Sequence, residues 1–150
     1  MKACNWFQEA IVYHVLIDRF AGVTAADRLR PEFLGGNLRA LREKLPYLRA
    51  LGVNTLWLSP FCRTSAYHGY HVTDYFSVEP RFGTLDHLKA LIDLARVSGI
   101  RIIADFVPNH CSRDHPFFRE ALKDKRSRFH RWFYFRRWPN RYLSFLDVRE

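Results

Sequence analysis

Several features that define common classes of protein are scarce or missing in this 150-residue chain. The 3 cysteines include no C-x-x-C pair, so the sequence predicts neither a disulfide framework nor a thiolate metal site. No apolar run approaches the roughly 18 residues of a membrane span, and no secretory leader is recognisable. Without G-x-G-x-x-G or a Walker sequence, a nucleotide fold would have no phosphate loop. We therefore expect a soluble, cytoplasmic protein with reduced thiols and no membrane partner.

Lysine is also scarce, although the chain is strongly basic. The formal net charge is +9, but only 5 of the 24 basic residues are lysine and 19 are arginine. Eight of the 24 lie between Lys123 and Arg141, where Asp124 is the single acidic residue. Arginine interleaved with aromatic residues can track phosphates and stack bases. Since no recognised nucleic-acid module is present, we expect no specific nucleic-acid partner and only weak, salt-sensitive attraction to polyanions.

The apolar pattern that is present predicts three strands separated by helices. Residues 11–20, 53–61 and 100–106 are rich in β-branched and aromatic side chains, which is typical of buried strands. The order β-α-β-α-β with short connections indicates parallel strands and right-handed crossovers. Such a start is compatible with a doubly wound sheet or with an eight-fold barrel. Polar loops follow the second and third strands, at the end where a barrel builds its chemistry.

Two helices and one long loop are predicted between these strands. Leucines at helical spacing run through residues 38–51, and Pro46 inside this pattern predicts a kink or a broken turn. Thr84 is predicted to cap the second helix, which ends at Gly99. Residues 62–82 are predicted to form a long polar and aromatic loop.

Candidate functional side chains concentrate in that loop and after the third strand. A tyrosine ring offers an apolar platform for the CH face of a sugar, and an imidazole can hydrogen-bond a hydroxyl. Ordinary packed aromatics with satisfied polar tips explain the same composition, so both interpretations stay open. The side chains concerned are His68, Tyr70, His71, Asp74 and Tyr75 around Gly69, followed by Asp105, Asn109 and His110.

The same part of the sequence also contains residue types that can bind a metal ion. Zinc sites usually pair thiolates or place two histidines in a helical H-E-x-x-H, and this chain has neither arrangement. Asn109 and nearby backbone carbonyls are hard oxygen ligands, which suit calcium better. We therefore expect no zinc.

Six short motifs occur in one order: "DRF", "GGNL", "GVNTLWLSPF", "HGY", "DYF" and "DFVPNH". Together they resemble the α-amylase superfamily of retaining glycoside hydrolases, from about Ile11 to the end of the chain. The last motif resembles the first signature region of that family. The tail "HPFF…FHRWFYF…YLSFLDV" resembles the cyclomaltodextrinase and neopullulanase branch.

The resemblance implies an α/β fold that is part of a (β/α)8 TIM barrel. Residues 1–115 would form the N-terminal part of the catalytic barrel with its first three strands, and residues 116–150 would begin the subdomain inserted after strand three. The implied partner is an α-glucan oligosaccharide. The remainder of the barrel is expected to be needed for stability, because three strands cannot close it.

The resemblance also assigns roles to residues of the site. His68, Tyr70 and His110 would bind the sugar being cleaved, with Tyr70 as the stacking ring. Asp105 would be a supporting carboxylate that orients its neighbours. Asn109 matches a position that helps to bind a structural calcium in many members, so calcium is the one ion implied and no cofactor is expected to be required.

The paired carboxylates of a retaining glycosidase are not expected in this chain. In the family they follow later strands, and no acidic residue after the third strand lies in a matching signature. The resemblance therefore implies an N-terminal fragment or a truncated reading frame of a cytoplasmic α-glucan hydrolase or transglycosylase. The alternative is a non-catalytic carbohydrate-binding or interaction fragment. The unmatched acids are Asp114, Glu120, Asp124, Asp147 and Glu150.

Overall fold

The computed structural model describes residues 5–24 and 29–136, which divide into two compact units between Pro116 and Phe117. A short 3-10 turn at Trp6–Glu9 precedes the first strand. The first unit then contains, in chain order, β1 (Val12–Val15), α1 (Ile17–Phe20), α2 (Leu38–Glu43), α3 (Leu45–Ala50), β2 (Thr55–Leu58), β3 (Cys62–Thr64), β4 (Val72–Val78), α4 (Leu85–Val97) and β5 (Arg101–Ala104).

Three of these strands form a sheet in the order β1-β2-β5, and their parallel pairing confirms the prediction from the sequence. Val15, Leu58 and Ala104 are aligned across the sheet. Each strand has four residues, so the predicted ranges were too long. The prediction of a strand up to Phe20 was wrong, because the chain turns into α1 at Ile17.

The turn after β1 is fixed by a buried carboxylate. Asp18 accepts hydrogen bonds from the backbone N–H groups of Leu34 (3.0 Å) and Gly35 (3.3 Å). A side chain on Gly36 would place its Cβ 2.3 Å from the Asp18 carbonyl oxygen, so this segment packs directly on the turn. These contacts with residues 34–36 explain why β-formers at positions 17 and 20 do not continue the strand.

The predicted break in the first helix is confirmed. Lys44 separates α2 from α3, and Pro46 lies in the first turn of α3, where its missing N–H costs no helical hydrogen bond. Leucines on both sides of the break share one face and are almost fully buried. They pack with β1, β2 and α4 into the core, whose leucines include Leu38, Leu41, Leu45, Leu48, Leu56, Leu58, Leu88 and Leu91.

The second helix begins at its predicted cap. Thr84 Oγ1 accepts from the His87 N–H at 3.3 Å, and the His87 Nδ1 accepts in return from the Thr84 N–H. This reciprocal capping box satisfies two of the orphan donors at the start of α4. One face of α4, with Leu88, Leu91 and Ala95, is buried against the sheet layer.

Residues 62–82 are not wholly a loop, so that prediction was wrong in part. β3 and β4 pair as an antiparallel hairpin with an irregular register. Buried Glu79 accepts from the Thr64 N–H at 3.1 Å, which ties β3 to the segment just after β4. The hairpin is thereby held by hydrogen bonds. Residues that make such bonds do not recur periodically in the sequence as the apolar residues of a buried face do.

The second unit contains α5 (Pro116–Lys123), which starts at the boundary, and a 3-10 turn at His130–Trp132. Aromatic rings dominate its packing. Phe117 stacks on Phe129 with ring centroids 4.1 Å apart, and the His130 ring lies 4.4 Å from that of Phe135. That residues 116–150 begin an inserted subdomain stays a prediction, and residues 137–150 with the motif "YLSFLDV" lie outside the described residues.

No helix within residues 5–24 and 29–136 is long and apolar enough to cross a membrane.

Candidate functional site

The C-terminal ends of the three parallel strands meet at one edge of the sheet. Beyond the assigned strands, the Ser59 N–H donates to the Val15 carbonyl at 2.9 Å, and the Asp105 N–H donates to the Leu58 carbonyl at 3.1 Å. Ser59 Oγ also lies 3.0 Å from the His14 Nε2. Asp105 is therefore held in register with its neighbours when the chain leaves β5.

A glycine brings the loop of the hairpin against the end of β2. Gly69 has φ +87°, a left-handed conformation that L side chains rarely adopt. A Cβ at this position would lie 2.1 Å from the Pro60 carbonyl oxygen, so the approach requires glycine. The flanking His68 and Tyr70 are consequently placed beside the strand end.

Tyr70 joins this loop to the end of β5. Its hydroxyl donates to Asp105 Oδ2 at 2.8 Å. Burial raises the pKa of Tyr70, and the hydrogen bond to Asp105 raises it further. The phenol thus stays protonated and acts as the donor, while Asp105 fixes the direction of the ring.

His68 lies against the same ring. Its imidazole is nearly parallel to the Tyr70 ring, at 28° and with centroids 5.9 Å apart. The Tyr70 N–H donates to His68 Nδ1 at 3.1 Å, so a neutral His68 carries its proton on Nε2. The two rings and one carboxylate form a platform with a polar rim, which we call the Tyr70 platform (His68, Tyr70 and Asp105).

His110 is connected to this region through its backbone. The Tyr75 hydroxyl donates toward the carbonyls of Val107 (2.8 Å) and His110 (3.0 Å). His110 itself lies in the exposed part of the loop that follows Asp105. The structure therefore places Tyr70 in contact with both His68 and Asp105, and the fourth predicted sugar-binding residue in the loop that follows Asp105.

Three supporting residues were not assigned a role from the sequence. Tyr75 was noted only as one of the clustered aromatics, although its hydroxyl fixes the loop after β5. Glu79 accepts from the Arg81 guanidinium at 3.0 Å and from the Thr64 N–H, and Asp18 anchors the turn after β1. An acidic residue next to a turn is common, so nothing in the sequence marked these two as buried.

Two other polar residues of the hairpin, Asp74 and His71, accept hydrogen bonds from groups within the hairpin itself. Asp74 accepts from the Ser77 hydroxyl at 2.5 Å and from the Phe76 N–H at 2.9 Å, and these bonds lower its pKa. The His71 carbonyl accepts from the Ser65 N–H at 3.0 Å. Both residues therefore help to build the hairpin.

The cysteines of this region are neutral thiols at physiological pH. Burial raises the pKa of Cys62, and Asp74 adds to the effect. Burial alone raises the pKa of Cys111. Because the thiolate is the reactive form, neither residue is suited to nucleophilic chemistry.

Asn109, the predicted calcium ligand, lies in the loop after β5. Calcium takes about six to eight oxygen ligands. Near the exposed Asn109, the carbonyls of Val107 and His110 accept from Tyr75. Within residues 5–24 and 29–136, no group of three or more His, Cys, Asp or Glu side chains is placed to hold a metal ion. Calcium at Asn109 stays a prediction that requires further ligands.

Comparison with known proteins places this geometry in a family. Residues 14–144 match the family described as "Alpha amylase, catalytic domain". The chain is 47% identical to "Alpha-amylase 2" of Dictyoglomus thermophilum over 152 aligned positions, which cover 99% of this chain and 26% of that protein. It is 36% identical to a cyclomaltodextrinase of a Bacillus species, covering 89% of this chain and 26% of that protein. The chain thus spans about a quarter of the length of these curated relatives.

A solved structure agrees with the sequence comparison. The cyclic alpha-maltosyl-(1→6)-maltose hydrolase of Arthrobacter globiformis, in complex with cyclic alpha-maltosyl-(1→6)-maltose, superposes with a TM-score of 0.79 at 32% identity. The match covers 93% of this chain and 34% of that one. The sheet β1-β2-β5 and its crossover helices are accordingly the first three strands and the connecting helices of a (β/α)8 barrel, and the chain belongs to the alpha-amylase family.

Proposed function

We propose that this chain supplies part of the sugar-binding subsite of a retaining glycoside hydrolase or transglycosylase that acts on α-glucans. The observation that carries the proposal is the 2.8 Å hydrogen bond from Tyr70 to Asp105, which fixes an aromatic ring at the mouth of the barrel strands. A fixed ring with a polar rim suits a glucosyl unit, which has an apolar CH face and equatorial hydroxyls. The complex of the Arthrobacter hydrolase with a cyclic maltosyl-maltose supports this substrate class.

Each residue of the Tyr70 platform has a role in the proposal. The Tyr70 ring stacks on the sugar face, and His68 donates from Nε2 to a hydroxyl. Asp105 holds Tyr70 through one carboxylate oxygen, so it acts as a supporting group. His110, at the end of the same loop, is the second donor toward the sugar.

The chemical step needs two further carboxylates. A retaining enzyme pairs a nucleophile with an acid/base about 5–5.5 Å away, forms a glycosyl-enzyme intermediate, and transfers the sugar to water or to another sugar. We assign neither carboxylate to a residue of this chain. The contribution of this chain is to bind and orient the sugar, which supplies the ordering part of the barrier reduction.

A non-catalytic carbohydrate-binding role is the second candidate. It is favoured by the fact that the Tyr70 platform contains a single carboxylate, Asp105, which is already hydrogen-bonded. The two candidates share the binding step and differ in turnover. Release of reducing sugar from maltodextrin by the intact protein separates them, because a binding module would bind the oligosaccharide without cleaving it.

The test of the proposal is a tyrosine series in the intact protein. Tyr70→Ala removes the stacking ring and is expected to weaken binding of maltotriose by about tenfold or more, the scale of stacking on an aromatic ring. Tyr70→Phe keeps the ring and loses only the bond to Asp105, so a smaller loss is expected. Tyr47→Ala, an exposed tyrosine on α3, is the matched control and should bind as the wild type. Unchanged binding by Tyr70→Ala would contradict the proposal.

A further inference from the structure

Arg19, outside the predicted sugar-binding residues, is held rigidly at the turn after β1. Its Nη1 donates to buried Asp18 at 2.7 Å. Its Nη2 donates to the carbonyls of Arg30 (2.5 Å) and Glu32 (2.9 Å). With bonds from both ends of its planar fork, the guanidinium has one defined orientation.

The fixed guanidinium lies over a ring of the sugar-binding loop. The Arg19 Cζ is 4.1 Å from the centroid of the Tyr67 ring, which is within the range of a cation–π contact. The Arg19 side chain is only 12% exposed, so water screens this contact less than it would at the surface.

From Tyr67 the contacts continue to the Tyr70 platform. The Tyr67 ring meets the His68 ring edge to face, at 78° with centroids 5.2 Å apart. His68 in turn lies against Tyr70. A continuous series of packed groups therefore connects the turn after β1 with the ring that we propose to stack on the sugar.

We propose that Arg19 is a positioning residue, which acts through Tyr67 to hold His68 and Tyr70 in the orientation that binds sugar. The inference rests on the proposed function of the platform. Its physical content is preorganisation: a loop already held in its bound geometry loses less conformational freedom when the sugar binds. The effect is expected mainly on affinity and KM, because Arg19 and Tyr67 do not contact the reacting atoms.

The experiment uses substitutions at Tyr67 in the intact protein, with maltotriose as the probe. Tyr67→Leu removes the π face while leaving the hydrogen bonds of Arg19, and should raise both Kd and KM about three- to tenfold with little change in kcat. Tyr67→Phe restores the face and should recover most of the affinity. Tyr47→Leu, which replaces an exposed tyrosine on α3, controls for loss of a tyrosine. Thermal unfolding is measured for every variant.

A second variant tests the cationic side of the contact. Arg19→Lys keeps the positive charge, but an ammonium group cannot make the same set of hydrogen bonds as the planar guanidinium. It should weaken maltotriose binding even though Tyr67 is unchanged. If both residues act through one contact, the double variant Arg19→Lys/Tyr67→Leu should bind no more weakly than the weaker single variant. The affinity of the double variant also tests the positioning role if Tyr67→Leu alone lowers the melting temperature more than Tyr47→Leu does.

The outcomes separate this inference from the proposed function. Equal affinity of Tyr67→Leu and Tyr67→Phe for maltotriose, or additive losses of affinity in the double variant, would overturn the positioning role. The sugar site would still stand if Tyr70→Ala bound maltotriose more weakly than the wild type. Unchanged binding by Tyr70→Ala would instead overturn the sugar site itself. Recovery by Tyr67→Phe together with non-additive losses would establish the role of Arg19.

Discussion

Two regions of the first unit are built on different physical principles. The parallel layer (β1, β2 and β5 with α2, α3 and α4) is stabilised by apolar burial, with leucines such as Leu48 and Leu56 fully buried. The hairpin region (residues 59–79) is held by directed polar bonds, among them the 3.1 Å bond from Thr64 to buried Glu79. Burial is non-directional and tolerates small shifts, whereas a hydrogen bond fixes a direction. The candidate site lies where the second region meets the strand ends of the first.

The largest expected effect is a loss of stability in the parallel layer. Leu48→Ala in the intact protein should lower the free energy of unfolding by about 2–5 kcal/mol, because it leaves a cavity among buried leucines. Leu51→Ala removes an exposed leucine three residues further along and is the matched control. Denaturant unfolding measures both. Equal losses for the two variants would show that the leucine face does not carry the stability of this layer.

Gly69→Ala should affect the site more than the fold. The positive φ costs about 1–2 kcal/mol and the contact with the Pro60 carbonyl adds about 1–3 kcal/mol, so the loop is expected to move and maltotriose binding to be lost. Gly52→Ala is a close control, since Gly52 has φ +89° but nothing within 4 Å of the added Cβ. It should incur the backbone cost alone and keep sugar affinity. Wild-type binding by Gly69→Ala would mean that the tight approach to β2 is dispensable.

Tyr75→Phe removes a single hydroxyl group that holds the loop after β5. It deprives the carbonyls of Val107 and His110 of their donor, at a cost of about 1–2 kcal/mol. The loop that carries His110 should then be freer, and the affinity for maltotriose should fall moderately. Tyr47→Phe removes an exposed hydroxyl and should change neither quantity. If Tyr75→Phe matches that control in both stability and binding, the loop is held by other contacts.

The smallest expected effect is a pH dependence at the edge of the hairpin. Burial lowers the pKa of His115, and the nearby Asp74 opposes this only in part. The unfolded chain therefore binds a proton at higher pH than the folded one, so stability should begin to fall as the pH drops through about 6.5. Denaturant unfolding between neutral pH and pH about 5 should show this fall in the wild type and a smaller one in His115→Gln. Equal slopes would assign the dependence to other groups.

The sequence was sufficient to predict the parallel layer because its signals are periodic. Leucines at helical spacing, the break at Pro46 and the cap at Thr84 each follow from a local rule that the structure obeys. The predicted length of β1 was too great because a tertiary hydrogen bond fixes the turn that ends this strand. The bond joins Asp18 to Leu34, 16 positions away, and such a contact gives no periodic signal in the sequence.

The hairpin and the supports of the site could be predicted only in part. Motif resemblance pointed to His68, Tyr70 and Asp105, and the structure places these three in contact. It did not indicate that Tyr75 spans more than thirty positions to reach the loop after β5, or that Glu79 is buried. Long-range polar pairs of this kind depend on the assembled backbone, so a single sequence does not reveal them.

The most direct test of the central claim is a structure of the intact protein with a bound maltooligosaccharide. We expect a glucosyl ring stacked on Tyr70 at van der Waals distance, with a sugar hydroxyl hydrogen-bonded to His68 Nε2 and the bond from Tyr70 to Asp105 retained. A sugar bound at the mouth of the barrel that leaves Tyr70 and His68 untouched would contradict it.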